Sequence, residues 1–372
     1  MSGKVYCAIG LMSGTSADGV DAAYIETNGH GFVEAGEAVV VPYTADFRRR
    51  LLAVMGKSEG PSLPEIEKEL TELHAQAVDI LLTQMGKTAA DIDVIGFHGQ
   101  TIFHAPQEGR TLQIGDGAAL AATTGIDVVN DFRSADVAAG GQGAPLVPLY
   151  HAAIASAWPK PCAIVNIGGV ANVTYIDNRH SRESGNLETI YACDTGPGGA
   201  LIDDAMQELL GLPHDQDGAI AASGKVNEAL LTAWLADEFF ARPAPKSLDR
   251  NHFKNKIQIG DLMPDEVAAT LTEFTAHSIA ASAVLFSAPP QLWIITGGGR
   301  KNHHLMQRLA ATTIAPVRDI SEMGFNGDAL EAQAFAYLAV RHKLDLPLSL
   351  PTTTGVPVPT RGGKFYAARA TG

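Results

Sequence analysis

The chain is poor in cysteine, in basic residues and in long apolar runs, and each shortage excludes something. Its three cysteines, Cys7, Cys162 and Cys193, are an odd number without metal-ligand spacing, and each lies in an apolar, strand-like stretch ("VYCAIG", "PCAIVNIG", "IYACDTG"). They read as buried thiols. With 27 basic against 41 acidic residues the formal charge is -14, which argues against non-specific binding to nucleic acid or to an anionic membrane surface. An anionic ligand must therefore meet local positive groups. No apolar run approaches the roughly 18 residues that span a bilayer, and Met1 to Gly10 lacks the apolar segment and cleavage site of a signal peptide. The expected compartment is the cytoplasm. The common nucleotide loops are missing too. "MGKS" (Met55 to Ser58) has Leu51 where a phosphate-binding loop needs glycine, and no G-x-G-x-x-G follows a strand.

What is present is a chain of 372 residues, 46% hydrophobic and 18% charged, enough for a large core split between two domains. Strand and helix signals alternate, as in an α/β protein. Strands are expected at Lys4 to Met12, Val20 to Thr27, Phe32 to Pro42, Val94 to His98, Val128 to Phe132, Ala163 to Ile167, Asn172 to Ile176, Thr189 to Asp194 and Leu292 to Thr296. Helices are expected at Pro64 to Gln84, Ala200 to Leu210, Pro264 to Phe286, Asn302 to Ala310 and Gly327 to His342, several with apolar residues at i, i+3, i+4. Two stretches, "YCAIGLMSGTSADGVDAAYIE" and "CAIVNIGGVANVTYID", both read as strand, glycine-containing turn, strand, which points to two related halves. The polar segment Asp177 to Glu188 reads as an exposed loop, and the proline-rich run from Leu346 to Pro359 as a stiff connection.

Three glycine sites carry the functional reading. In the first, Ser13, Gly14, Thr15 and Ser16 end a strand that resumes after Asp18 and Gly19, which gathers N–H groups and hydroxyls in a turn suited to phosphate oxygens. A hairpin closed by glycines and hydroxyl hydrogen bonds accounts for the same residues. In the second, "IITGGGRKNHH", Gly297, Gly298 and Gly299 lie between a strand and a helix N-terminus, where open N–H groups can meet a ligand or simply permit a tight turn. In the third, "YACDTGPGGALIDDAM", a strand delivers Asp194 to its carboxyl edge before a glycine loop and a helix. Asp194 is either a catalytic carboxylate or a group that caps the helix or makes a turn hydrogen bond.

Together these sites resemble the actin, sugar kinase and Hsp70 superfamily, in which two domains close over ATP. The stretches "GLMSGTSADGVD", "GFHGQTIFHAP", "LQIGDGAALA", "DFRSADVAAGGQGAPLVP", "NIGGVANVTYI", "DTGPG" and "GDALEAQAFAYLA" resemble, in order along nearly the whole chain, the anhydro-N-acetylmuramic acid kinase family. The resemblance implies an α/β, two-domain actin-like ATPase (ribonuclease H-like) fold with an interdomain active-site cleft. The N-terminal domain would comprise 1–135 plus about 346–372, and the C-terminal one 136–345. It implies a cytoplasmic enzyme of cell-wall recycling that takes 1,6-anhydro-N-acetylmuramic acid, water and ATP to N-acetylmuramic acid 6-phosphate and ADP. No nucleic acid or membrane partner is expected, and a homodimer is left open.

Residue by residue, the resemblance makes Asp194 the base for water. It assigns Gly14, Thr15, Ser16, Ala17, Asp18, Gly19, Val20 and Asp21 to the phosphate turn, Gly168 and Gly169 to a second hairpin at the nucleotide, and Gly297 to Gly299 to the nucleoside. Mg2+ would be reached by Asp18 or Asp21, directly or through water. Many sugar kinases carry an aspartate four residues before the threonine of the turn, where this chain has Leu11. For the sugar, His98, Gln100, Thr101 and Arg133 follow expected strands, and Arg133 is suited to a lactyl carboxylate. Glu331 would face the site from the other domain or lie on a solvated helix face; His104 reads as a strand-end histidine. "GGQGAPLVP" (140–148) suits a segment near a hinge. Two other functions use the same features: a conventional hexose or amino-sugar kinase, and a nucleotide-dependent binding protein without sugar chemistry.

Overall fold

The computed structural model describes residues 3–14, 16–177 and 189–368. Thr15 and residues 178–188, expected from the sequence to form an exposed loop, lie outside the described residues. Among those described, twelve strands follow one another: β1 (Tyr6–Ser13), β2 (Gly19–Thr27), β3 (Val33–Pro42), β4 (Val94–Ala105), β5 (Arg110–Ile114), β6 (Val128–Asn130), β7 (Cys162–Ile167), β8 (Val170–Asp177), β9 (Thr189–Pro197), β10 (Leu292–Thr296), β11 (Val317–Asp319) and β12 (Lys364–Tyr366). The chain divides into two compact units, Met1–Ala157 with Ala329–Gly372, and Trp158–Asp328. Residues 136–157 and 329–345, expected in the C-terminal domain, thus pack with the N-terminal unit.

The first unit carries a seven-stranded sheet in the order β12-β6-β4-β1-β2-β3, with β5 paired to β4. β1, β2 and β3 are antiparallel neighbours, whereas β4 runs parallel to β1 and β6 parallel to β4. Alternation along β1 sends Ile9 and Leu11 into a core with Phe47, Leu70, Val78 and Leu81 of helices Ala45–Val54 and Leu63–Met85. The longer helix starts with proline in its first turn and stops at Gly86, whose φ of 63° provides the left-handed cap. The opposite face takes helix Leu330–Lys343, which explains why residues 329–345 belong here. A Cβ on Gly10 would fall 1.7 Å from the Ala332 carbonyl oxygen, and one on Gly96 would fall 2.0 Å from that of Phe335. The helix lies directly on the strand backbone and is buried on nearly every side, so it shows little amphipathic pattern.

The second unit's sheet has the order β11-β10-β7-β8-β9. β7, β8 and β9 are antiparallel neighbours, while β10 runs parallel to β7 and β11 parallel to β10. Both sheets therefore share a plan: a three-strand antiparallel meander extended beside its first strand by two parallel strands. The two hairpins singled out in the sequence open these two meanders. Val165, Ile167, Val173 and Ile295 pack against Ala276 and Ile279 of helix Pro264–Ala281 and Leu305 of helix His303–Thr312. No helix among the described residues is long and apolar enough to cross a membrane. Cys162 and Cys193 are buried and Cys7 is partly so.

Candidate active site

In the second unit, the β7–β8 turn, helix Ala200–Leu210, the loop Pro213 to Asp217 and the turn after β10 enclose a cavity of about 410 Å³. Gly168, Gly169, Gly298 and Gly299 all line it, so the mid-chain hairpin and the triple glycine, from distant parts of the sequence, form one wall. Each glycine has its own reason to be there. No atom lies within 4 Å of a Cβ on Gly298, which opens on the cavity, whereas a Cβ on Gly299 would meet Ile167 Cγ2 at 2.3 Å. Gly297 does not line the cavity; its φ of 75° turns the chain after β10. The third glycine site locks onto the first wall: Gly198 and Gly199 donate from N–H to the carbonyls of Gly169 and Gly168 at 3.0 and 2.8 Å.

Sequence reasoning missed several residues of this cavity, among them Asp203, His214, Lys301 and Asn302. Lys301 brings the positive charge an anion needs in an acidic chain, and its ammonium pairs with Asp328 at 3.0 Å. Asn302, expected to begin the helix, caps it by accepting from the Leu305 N–H at 2.9 Å. Both follow the triple glycine directly, which was the available signal. The loop from Pro213 to Asp217 has no periodicity that would have marked it.

Asp194 lies within β9, which runs on to Pro197 and was expected to stop at Asp194. Its neighbours in the sheet are shifted by a bulge between Ala171 and Asn172. A strand from one part of the chain presents the carboxylate, and a segment more than fifty residues on holds it. The Leu248 N–H donates to Asp194 Oδ2 at 2.7 Å, and the Asp194 N–H donates to the Lys246 carbonyl at 3.0 Å. Helix Ala200–Leu210 has Gly199 at its cap without a side-chain hydrogen bond, so the capping role considered for Asp194 is not the one it plays. Burial pushes the Asp194 carboxyl up to about 6, although the Leu248 N–H and the Lys246 charge pull it down.

In the first unit, the turn after β1 is closed by the Ala17 N–H donating to the Gly14 carbonyl at 3.0 Å, with Ala17 at a φ of 52°. The Arg48 guanidinium straps it from outside, donating from Nε to the Ala17 carbonyl at 3.1 Å and from Nη2 to that of Ser16 at 3.3 Å. Ser16 Oγ donates to Asp18 Oδ1 at 3.0 Å. Gly19, Val20 and Asp21 have already entered β2: the Val20 side chain is in the core, and a Cβ on Gly19 would meet the Val41 carbonyl at 2.6 Å. Beneath the turn, the Tyr43 hydroxyl donates to Ser13 Oγ at 2.7 Å, and Ser13 donates to Gln100 Oε1 at 2.6 Å. Gln100, expected to touch the sugar, is wholly buried and braces the turn.

"HGQT", expected beyond a strand, lies inside β4, which continues to Ala105 through a kink at Gly99 with φ 69°. Arg133 Nε donates to His98 Nε2 at 3.0 Å, so the imidazole proton sits on Nδ1, which donates to the Gly99 carbonyl at 2.8 Å. Burial and the Arg133 charge hold His98 well below its usual pKa, in agreement with a neutral ring. Arg133 Nη1 donates to the Gly143 carbonyl at 2.7 Å. Burial lowers Arg133 to about 10, while Glu331 and Asp136 oppose that shift. Glu331, expected from the other domain, begins helix Leu330–Lys343 in the same unit as Arg133. Its carboxylate keeps solvent contact, yet crowding by protein raises its pKa and Arg133 lowers it. Thr101 Oγ1 accepts from Gln113 at 3.1 Å, and His104 Nδ1 lies 3.0 Å from Thr111 Oγ1 near the end of the strand. Asp136 anchors the "GGQG" segment by accepting from the Gly143 N–H at 2.6 Å.

An α/β chain with a glycine-walled cavity, a strapped hydroxyl and aspartate turn and a strand-borne carboxylate raised by burial to about 6 is built as a nucleotide-using enzyme. The particular family follows from comparison: a family model described as "AnmK: Anhydro-N-acetylmuramic acid kinase" matches residues 6–368. The chain belongs to that family. A Rhodospirillum rubrum protein named anhydro-N-acetylmuramic acid kinase is 48% identical, over 97% of this chain and 94% of its own. One of the same name from Paramagnetospirillum magneticum is also 48% identical, over 96% of this chain and 99% of its own. Among solved structures, a xylulose kinase from Lactobacillus acidophilus aligns over 97% of this chain and 93% of its own, at 14% identity and a TM-score of 0.47.

Proposed function

We propose that this chain is an ATP-dependent sugar kinase that takes 1,6-anhydro-N-acetylmuramic acid, water and ATP to N-acetylmuramic acid 6-phosphate and ADP, in cytoplasmic recycling of the cell wall. The observation that carries the mechanism is Asp194: one oxygen is fixed by the Leu248 N–H, and its pKa of about 6 leaves the carboxylate ionised at neutral pH yet basic enough to accept a proton. A water molecule attacks the anomeric carbon and gives its proton to Asp194. As the C1–O6 bond breaks, its electron pair stays on O6, which attacks the γ-phosphorus. The bond from that phosphorus to the β,γ-bridging oxygen breaks and ADP leaves. Phosphoryl transfer absorbs the charge developing on O6, so no second acid is required.

The cavity of the second unit would hold the nucleoside, with Gly168, Gly169, Gly298 and Gly299 letting backbone approach it and Lys301 supplying positive charge. The turn at Gly14 to Asp18 suits the β- and γ-phosphates. Among the described residues no group of three or more His, Cys, Asp or Glu could hold a metal ion. Two nearby carboxylates, Asp18 and Asp21, fit Mg2+ that arrives with the nucleotide and keeps most of its waters, and such an ion would neutralise phosphate charge. Arg133, with Nε and Nη1 occupied by His98 and Gly143, has Nη2 left to meet a lactyl carboxylate.

The test is ADP release with Mg-ATP and the anhydro sugar, beside N-acetylmuramic acid and N-acetylglucosamine, in water enriched in oxygen-18. Product from the anhydro sugar alone, heavier by phosphate and one labelled water, is expected. Phosphorylation of the open-ring sugars instead would make this a conventional amino-sugar kinase, and silence with every sugar would leave only nucleotide binding.

A further inference from the structure

We propose that Asp203 reads the nucleotide's ribose, accepting hydrogen bonds from its hydroxyls, so that the chain selects ribonucleotides over deoxyribonucleotides. The inference rests on the nucleoside occupying the glycine-walled cavity. Asp203 lies in the first turn of helix Ala200–Leu210 and lines that cavity. Its place there is intermediate between two walls. On one side Asp203 Oδ2 is 3.7 Å from where a Cβ on Gly199 would stand, and Gly199 is bonded to Gly168 of the glycine wall. On the other side it is close enough to His214, on the loop Pro213 to Asp217, for that residue's charge to act on it. A nucleotide has the same order, with its sugar between a phosphate chain that needs the close backbone approach glycines allow and a base that suits Ile202, Pro213 and Leu305.

Its neighbour in sequence sharpens the assignment. Asp204 is engaged by Arg250 at 3.3 Å and Lys254 at 2.9 Å. The Asp203 carboxylate has no hydrogen-bond or ion-pair partner among the described residues; it is exposed to the cavity, and partial desolvation there raises its pKa. A carboxylate accepts hydrogen bonds and, when ionised, donates none, so a ligand group that displaces water from it must be a donor. Within a nucleoside triphosphate the vicinal ribose hydroxyls are the donors at that position. A site built to bind a hydroxyl rejects the analogue that lacks it, because its own acceptor is then left without a partner.

The experiment compares ATP with 2′-deoxy-ATP and 3′-deoxy-ATP in the sugar-dependent reaction, for the unaltered chain, Asp203→Asn and Asp203→Ala. Calorimetric titration with ADP and 2′- and 3′-deoxy-ADP runs alongside, so that binding is read without turnover. The unaltered chain should bind at least one deoxynucleotide about 10-fold more weakly or worse. In Asp203→Ala, ATP and ADP should weaken by a similar factor while that deoxynucleotide changes little, bringing the ratio towards one; Asp203→Asn, which keeps an acceptor, should fall between. Equal affinity for ribo- and both deoxynucleotides in the unaltered chain, or an undiminished ratio in Asp203→Ala, overturns the assignment. If ADP discrimination depends on Asp203 but no sugar is phosphorylated, the ribose assignment stands and the proposed reaction falls.

Discussion

Burial of Asp194 sets both activity and stability against pH. With its carboxyl raised to about 6, the base is lost as pH drops below that value, so kcat should fall about tenfold per pH unit on the acid side. Asp194→Asn should lower kcat by about 100- to 10,000-fold and abolish that acid limb, while ADP affinity stays within about twofold of the unaltered value; initial rates from pH 4.5 to 8.5 and ADP titration check it. The stability consequence has the opposite sign. In the unfolded chain the carboxyl releases its proton near its ordinary value of 3.8, in the folded chain only near 6, so folding loses stability as pH rises through that window. The shift corresponds to about 3 kcal/mol above pH 6. Asp194→Asn, which keeps an acceptor for the Leu248 N–H, should therefore unfold at higher denaturant concentration than the unaltered chain at pH 7.5, and at the same concentration or lower at pH 4. A variant that is inactive and also destabilised at pH 7.5 would mean that Asp194 is a structural group.

At the scale of elements, glycines in equally conspicuous motifs do different work. A Cβ added at Gly14 would have only Ser16 Oγ nearby, at 3.5 Å, so a side chain fits the fold but enters the space above the turn proposed to hold phosphate. Gly14→Val should leave the unfolding free energy within about 0.5 kcal/mol of the unaltered value and raise the KM for ATP about 10-fold or more. Gly10 is the reverse case. A methyl there strikes the Ala332 carbonyl of helix Leu330–Lys343, so Gly10→Ala should destabilise the fold by about 3 kcal/mol or more, as read by urea denaturation. The motifs around both glycines were legible as strand and turn because their periodicity and turn residues are local. Helix Ala200–Leu210 was legible to the residue for the same reason. What sequence could not show was that Gly10 touches a helix more than three hundred residues away, or that Leu248 holds Asp194. Those contacts depend on which backbones approach closely, and the helix on Gly10 is too evenly apolar to announce a face. Thus residues 329–345 were assigned to the wrong unit, and Gln100, on a legible strand, was assigned to the sugar although its side chain points into the protein beneath the turn.

For the whole molecule, two histidines in the first unit set the acid limit of stability. His74 is buried between Leu70, whose carbonyl lies 2.7 Å from Nδ1, and the Phe97 ring at 4.8 Å, and its Nε2 has no hydrogen-bond partner among the described residues. Burial lowers its pKa to about 4 and that of His151 to about 3. Unfolding returns both rings to water, where they protonate near their ordinary value of 6.5. Between that value and the folded ones the unfolded chain binds more protons, so stability is full above pH 6.5 and declines as pH falls towards 4. Carried through to the folded values, the shifts correspond to roughly 3 kcal/mol for His74 and roughly 5 kcal/mol for His151. His74→Leu fills the same apolar space without a titrating group. Its unfolding free energy, measured in urea at half-unit steps from pH 4 to 7.5, should decline less steeply over the acid range than that of the unaltered chain, by up to about 1.4 kcal/mol per pH unit. Parallel curves would place a protonated His74 inside the folded protein, and the buried, neutral ring would then be wrong.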